Sequence, residues 1–447
     1  MVKKIKMLYP ADITSEDTHD MHILHFNILK QLQYEYDVEV VGRISEEDFR
    51  KTCDTKLPYR DFFDNKIFRN QNFSESKIDD VENYIQLPIN FIYYCNQKRW
   101  GWLNKNNYID NLIKYVDVWK EILTDTDVLI TTLDNLFLVY VAECVAKRKN
   151  IKIIKIIKGR IIDDSIVFWD YNNNPIKYKE CQDTKIYELF SERVYNLNTT
   201  VKNYRKAINK ESSIRNSIIS IPKKMFVLLN DWHRKYDIDS PNFIMKYYKL
   251  IIMGLKIVFY PKIHGLFFEK TRNEKYFLFP LHFEWESQLA FREPFISQIE
   301  LAKQIANSLP QNTYLYIKVH PHWKNIDQKI LDIYSLKQYK NIRIINPTQS
   351  TADLILHSMG VICINSTVGY ETVLIKKPLI VIGHEYYKEI GIDIKDMNEL
   401  PEVLIKIKSG EYKVNENENI EFLGDYTNRI CLKEDAFKNL KTIIEQK

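Results

Sequence analysis

Between Tyr276 and Glu371 the chain repeats one arrangement three times: a short apolar run, then a polar cluster. Pro280-Leu281-His282-Phe283-Glu284-Trp285-Glu286 follows the run Tyr276 to Phe279. His320-Pro321-His322-Trp323-Lys324 follows Thr313 to Val319, and Asn365-Ser366-Thr367-Val368-Gly369-Tyr370-Glu371 follows Val361 to Ile364. Runs of this length alternating with helical patterns read as strands of an open parallel sheet. The turns at the carboxyl ends of such strands are where ligands bind. Three turns carrying His, Lys, hydroxyl and carboxylate groups therefore point to one anionic-ligand site rather than to three surface loops.

The alternation extends on both sides. Strands are expected at 5–9, 38–41, 127–131 and 151–157, with helices at 18–33 and 136–147. Later strands are expected at 276–279, 313–319, 341–345, 361–364 and 379–382, with helices at 294–308, 350–358, 367–376 and 397–408. The stretch 46–107 is polar and aromatic with little periodicity and reads as irregular helices and loops. Residues 186–270 read as mainly helical, and 434–446 as a terminal helix. The fold class is α/β: two Rossmann-like domains facing a cleft, with an additional helical interdomain segment. The divisions are 1–200 for an N-terminal Rossmann-like domain, 201–270 for the helical segment, 271–433 for a C-terminal Rossmann-like domain and 434–447 for a terminal helix that crosses back.

A length of 447 residues suits two domains. The hydrophobic share of 45% beside 28% charged residues is ordinary for a soluble protein with sizeable cores. The net charge of +5 is too small to argue for a nucleic-acid partner. Six scattered cysteines form no CxxC pair, which argues against metal clusters and disulfides and for a reducing cytoplasm. The amino end lacks the apolar core of a signal peptide, and no apolar run is long enough to span a bilayer. The stretch 243–268 interleaves apolar residues with Lys246, Lys249, Lys256 and Lys262. It reads as an interdomain helix, or as a patch for peripheral contact with the inner face of a membrane.

His320 and Lys324 follow a strand end four positions apart. Both can face a cleft, hold a phosphate and offset charge on a leaving nucleotide; a proline turn with a solvated lysine is the plainer alternative. Asn365-Ser366-Thr367 ahead of a helical pattern is an N-cap signature. Backbone N–H groups and the helix dipole favour anions there, and Ser366 and Thr367 add hydroxyls; the alternative is a plain cap. Glu284 and Glu286 share a face in extended chain, where a carboxylate can serve as base or nucleophile, or simply belong to an acidic loop.

Other candidates are weaker. His19, His22 and His25 recur on the first helix, but His25 lies about 120° round from His19, too far for one ion. His19 and His22 read better as acceptor contacts, and no metal is expected. Asp125-Thr126-Asp127 precedes its strand and reads as a turn. Arg160, after strand 151–157, is placed to reach an anionic donor, with a simple salt bridge to Asp163 or Asp164 as the alternative.

The words FPLHFEWES, KVHPHWK and NSTVGYETVLIKKPLIVIG, in that order, resemble the bacterial capsule polysaccharide synthesis family, which includes the retaining Kdo transferases. The resemblance runs from Tyr276 to Asn398. It implies the GT-B arrangement of glycosyltransferases, with a donor nucleotide on the HPxxK motif, matched by His320, Pro321 and Lys324, and Glu371 accepting from ribose hydroxyls. Where the Kdo transferases carry a Gln and a catalytic Asp four apart, this chain carries His282 and Glu286. Those departures leave the Kdo assignment open.

The leading expectation is a metal-independent glycosyltransferase of capsule or surface polysaccharide biosynthesis, with no cofactor. It would use a nucleotide-sugar donor, CMP-Kdo-like in the resembling family, and a glycan or glycolipid acceptor. Glu286 and His282 are the catalytic candidates and Glu284 a further contact. A CDP-polyol phosphotransferase of teichoic-acid type and a non-catalytic glycan-binding scaffold are the alternatives.

Overall fold

The computed structural model describes residues 2–9, 16–43, 46, 49–50, 57–69, 76–100, 105–131, 137–159, 162, 165–172, 174–178, 268–282, 293, 295–320, 333, 335–346 and 349–446. These gather into two compact units, one holding the described residues up to Tyr178 together with 425–446, the other holding 268–424. Along the first part of the chain the elements are β1 (Lys4–Tyr9), α1 (Glu16–Leu32), β2 (Asp37–Gly42), β3 (Tyr59–Asp61), α2 (Lys66–Arg69), α3 (Ser76–Ile85), α4 (Ile89–Trp100), α5 (Lys105–Ile122), β4 (Val128–Thr131), α6 (Phe137–Arg148), β5 (Lys152–Lys158) and β6 (Ser165–Trp169). There follow β7 (Tyr276–Pro280), α7 (Gln298–Ser308), β8 (Tyr314–Lys318), β9 (Ile342–Ile345), α8 (Thr351–His357), β10 (Gly360–Cys363), α9 (Val368–Leu374), β11 (Leu379–Val381), β12 (Ile392–Asp393), α10 (Leu400–Ser409), α11 (Glu416–Thr427), β13 (Ile430–Leu432) and α12 (Ala436–Glu445).

The first unit is built on a sheet of order β13-β6-β5-β4-β1-β2-β3. Its five strands from β5 to β3 run parallel, while β6 and β13 join antiparallel. Alternate residues of each strand face one side: Ile5 and Met7, Val38 and Val40, Val128 and Ile130, Ile154 and Ile156. Leu24, Ile28, Leu29 and Leu32 recur at helical spacing and lay α1 on that side; Ala436, Leu440, Ile443 and Ile444 lay α12 there too. Lys3 and Lys152 then donate to the carbonyls of Ile444 and Ile443 at 2.5 Å each, satisfying the last turn of α12. On the opposite face, Glu143 of α6 accepts from the Thr131 hydroxyl at 3.1 Å and pairs with Lys155 at 2.6 Å, all three buried.

Two findings differ from the sequence expectations here. The stretch 46–107 contains a parallel strand, β3, and two regular helices, α3 and α4, rather than irregular structure. Its aromatic side chains pack on several sides at once: Phe62 lies 5.0 Å from the Tyr115 ring and 5.1 Å from that of Trp119, with Phe68 at 5.6 Å. A cluster of that kind blurs the one-sided period by which a helix is recognised. The antiparallel pair β6–β13 was also unforeseen, since it joins Val167 to Ile430 across the length of the chain. Asp125-Thr126-Asp127 does form a turn, and the Asp127 carboxylate accepts from the Lys4 main-chain N–H at 2.7 Å.

The second unit has a sheet of order β12-β11-β10-β7-β8-β9, parallel throughout. Phe277, Phe279, Leu281, Leu315, Ile317, Ile342 and Ile362 form its main core face, covered by α7 through Leu301, Ala302 and Ile305 and by α10 through Leu400 and Leu404. A capping pair starts α7, the Ser297 hydroxyl accepting from the Glu300 N–H at 3.4 Å. On the other face Tyr276 and Tyr316 stack with centroids 3.8 Å apart, and the Tyr276 hydroxyl donates to the Leu354 carbonyl of α8 at 2.7 Å. The residues 179–267, including most of the expected helical segment and all but the last residue of the lysine-bearing stretch 243–268, lie outside the described residues. Among the described residues no helix is long and apolar enough to cross a membrane.

Candidate functional site

Strands β7, β8 and β9 build the second sheet outward in one direction; the chain then returns, and β10 pairs with the opposite edge of β7, with Val361 opposite Leu278. This makes β7 and β10 the point where the strand order reverses. In a doubly wound sheet the loops separate at that point and leave a crevice at the carboxyl ends. His282 stands two residues beyond β7, His320 two beyond β8 and Asn365 two beyond β10. The three strands are neighbours about 5 Å apart, so the three polar clusters arise along one short stretch of sheet edge.

His282 is buried, 4% exposed. Leu281 still belongs to the ladder, donating to the Lys318 carbonyl at 2.9 Å. The Gln298 side chain at the start of α7 then grips His282 on both main-chain groups: Oε1 accepts from its N–H at 2.7 Å, and Nε2 donates to its carbonyl at 3.2 Å. The Asn365 main-chain N–H donates to His282 Nε2 at 3.2 Å. Accepting that bond uses the lone pair on Nε2 and leaves Nδ1 as the ring's donor position. The imidazole thus ties the loop after β7 to the loop after β10 directly across the reversal point. Gln298 was not singled out in the sequence; a Gln at a helix start carries no pattern that marks it.

Beyond β10, Asn365 is buried, Ser366 half-buried and Thr367 exposed. The first turn of α9 is capped by Ser366 rather than by Thr367: Ser366 Oγ accepts from the Val368 N–H at 3.2 Å, and its carbonyl accepts from Gly369 at 3.0 Å. The Val368 and Gly369 N–H groups are thus engaged within the turn, as is that of Glu371, which donates to the Thr367 carbonyl at 3.3 Å. Glu371 is half-buried in the same turn; burial chiefly, and its charge in addition, hold the Cys363 thiol well above the usual range.

Two glycines permit this packing. A Cβ on Gly369 would come 2.4 Å from the Tyr387 ring, whose hydroxyl donates to the Ser366 carbonyl at 2.9 Å. A Cβ on Gly383 would come 2.3 Å from Asn365 Oδ1. Just past Gly383, Glu293 Oε1 accepts from the His384 N–H at 2.9 Å and lies 2.7 Å from its ring Nδ1. Neither Glu293 nor His384 was read as a site residue.

Of the remaining candidates, His320 is half-buried at the end of β8. Glu284, Glu286, Lys324 and Arg160 lie outside the described residues. His19 and His22 fall on α1, whose backbone is described there and whose side chains at those positions are not; His25 is buried. Among the described residues no group of three His, Cys, Asp or Glu side chains is placed to hold a metal ion.

No curated protein sequence matches the chain. Among solved structures, KpsC of Thermosulfurimonas dismutans, a beta Kdo 2,7 transferase, aligns at 14% identity over 83% of this chain and 97% of that one, with a TM-score of 0.33. Anabaena HepE, solved with UDP-glucose, aligns at 9% identity over 99% and 100%, with a TM-score of 0.34. S. aureus MnaA, solved with UDP, aligns at 11% over 99% and 95%, with a TM-score of 0.30. The fold stands on the two sheets themselves. The model of the family described as capsule polysaccharide biosynthesis protein matches residues 145–401, more than half of the chain and the whole of the second sheet. The chain belongs to the capsule polysaccharide biosynthesis family.

Proposed function

We propose that the chain transfers a sugar from a nucleotide-activated donor to a glycan or glycolipid acceptor without a metal ion, with the nucleotide at the carboxyl edge of the second sheet. The observation that carries this is the bond from the Asn365 N–H to His282 Nε2, which joins two of the three polar clusters across the reversal of strand order. His320 and Lys324 hold the phosphate, Ser366 and Thr367 donate hydroxyl hydrogen bonds to it, and Glu371 accepts from ribose hydroxyls. As the bond from anomeric carbon to phosphate oxygen breaks, its electron pair goes to the nucleotide, where cationic groups offset the charge. Glu286 is the carboxylate at the reacting centre. His282, with Nε2 committed to Asn365, is a positioning residue. His19, His22, Arg160 and Glu284 are contacts for the acceptor or the donor, and the setting is the cytoplasm, where nucleotide-activated donors are made.

The test is release of free nucleotide from a panel of CMP-, CDP- and UDP-linked donors, with and without EDTA. One donor should turn over in an acceptor-dependent way, and chelation should leave the rate unchanged. Loss of turnover in EDTA restored by divalent ion would overturn the metal-independent mechanism. A polyol phosphate passing from a CDP-linked donor to the acceptor would make the chain a phosphotransferase. Binding with no release from any donor would make it a scaffold.

A further inference from the structure

His384 and Glu293 form a unit for which the function above has no use. Strands β10 and β11 pair with Cys363 opposite Val381, and the Ile382 N–H donates to the Cys363 carbonyl at 2.9 Å. The close approach of Gly383 to Asn365 shows that the two chains stay side by side past their strand ends. His384 thus follows Gly383 on one segment as Ser366 follows Asn365 on the other. Glu293 reaches this edge from the segment between β7 and α7 and is 8% exposed, while the His384 side chain is 73% exposed. A buried carboxylate oxygen thus takes both the main-chain N–H and the ring Nδ1–H of one residue. Such a pair fixes the plane of the imidazole and its tautomer, and turns Nε2 outward.

We propose that His384 Nε2 is a further contact for the phosphate of the bound nucleotide, with Glu293 as the residue that orients it. The inference rests on the nucleotide reading above and adds a strand end, that of β11, to the site. In the protonated ring both nitrogens donate, Nδ1–H to Glu293 and Nε2–H to a phosphate oxygen, and the buried carboxylate offsets the ring's charge. A bare loop tie would use the Nδ1 side of the ring alone, and that difference makes the two roles separable.

The full-length chain is titrated by calorimetry with CMP, CDP and UDP, and with cytidine and uridine, which lack the phosphate. His384→Asn keeps a donor at the Nδ1 position for Glu293 and removes the outward nitrogen. His384→Gln extends its amide outward and gives up Glu293. The proposal expects His384→Asn to lose about tenfold or more in affinity for the nucleotide that the unaltered chain binds, as for one hydrogen bond to a charged group. Nucleoside affinity and the thermal midpoint should stay unchanged, and His384→Gln should retain more nucleotide affinity than His384→Asn. Nucleotide affinity unchanged in His384→Asn, or an equal loss for nucleoside, overturns the contact and leaves the nucleotide site standing. No nucleotide binding by the unaltered chain overturns the proposed function, and this contact with it.

Discussion

At the scale of single residues, His282 separates two kinds of role. A proton-transferring imidazole needs a ring nitrogen open to substrate, whereas this one spends Nε2 on the Asn365 N–H in a buried setting. His282→Ala leaves that N–H without its acceptor and should cost about 1–3 kcal/mol of stability, read as a lower midpoint in urea. His282→Gln can offer an amide oxygen in its place and should keep much of the kcat that Ala loses. A Gln variant as inactive as the Ala variant at full stability would assign proton transfer to the ring. Glu286→Gln should lower kcat about a hundredfold or more while nucleotide affinity holds, as for a positioned acid–base group. Glu284→Gln is its control, and a reversed outcome would move the role to Glu284. His282, His320 and Ser366 were legible in the sequence because a polar residue straight after an apolar run stands at a strand end. Gln298, Glu293 and His384 were not, since each acquires its meaning from a partner that only folding supplies.

Among the elements, β1, β2 and β3 are joined by more than their ladder. Glu39 of β2 bonds with Lys6 of β1 and accepts from Arg60 of β3 at 3.0 Å. Burial alone would raise the Glu39 carboxyl, but the bond and charge of Lys6, with Arg60 behind it, outweigh burial and hold it below its ordinary value. A lowered carboxylate adds stability that is fully present above its unfolded value of about 4.3 and is lost as pH falls through the folded one. Glu39→Gln should therefore destabilise the chain at pH 7 by about 1–3 kcal/mol and flatten its acid unfolding profile below pH ~4.3. Equal stability of the two proteins at pH 7 would show that the cluster adds nothing. Parallel strands and amphipathic helices such as α1 and α7 could be read from periodicity because their burial is one-sided or complete. The aromatic cluster around Phe62 and the three-residue strand β13 defeat that reading for opposite reasons, one burying too many faces and the other offering too short a window.

At the scale of the whole molecule, two parallel-rich sheets were legible from the alternation of strand and helix, but their strand orders were not. The reversal between β7 and β10 joins Leu278 to Val361, and α12 reaches the first sheet from the far end of the chain; no local pattern encodes either pairing. That reversal sets the carboxyl ends of β10, β7 and β8 side by side, and the central claim is that this edge of the second sheet binds a nucleotide. The most direct test is calorimetric titration of the unaltered chain, His320→Ala and Lys324→Ala with the nucleotide of the donor that turns over. The account predicts saturable binding by the unaltered chain and a loss of about 1.5–3 kcal/mol in each variant, the size of one hydrogen bond to a charged group, with thermal midpoints unchanged in the absence of ligand. Equal affinity in all three proteins would contradict it.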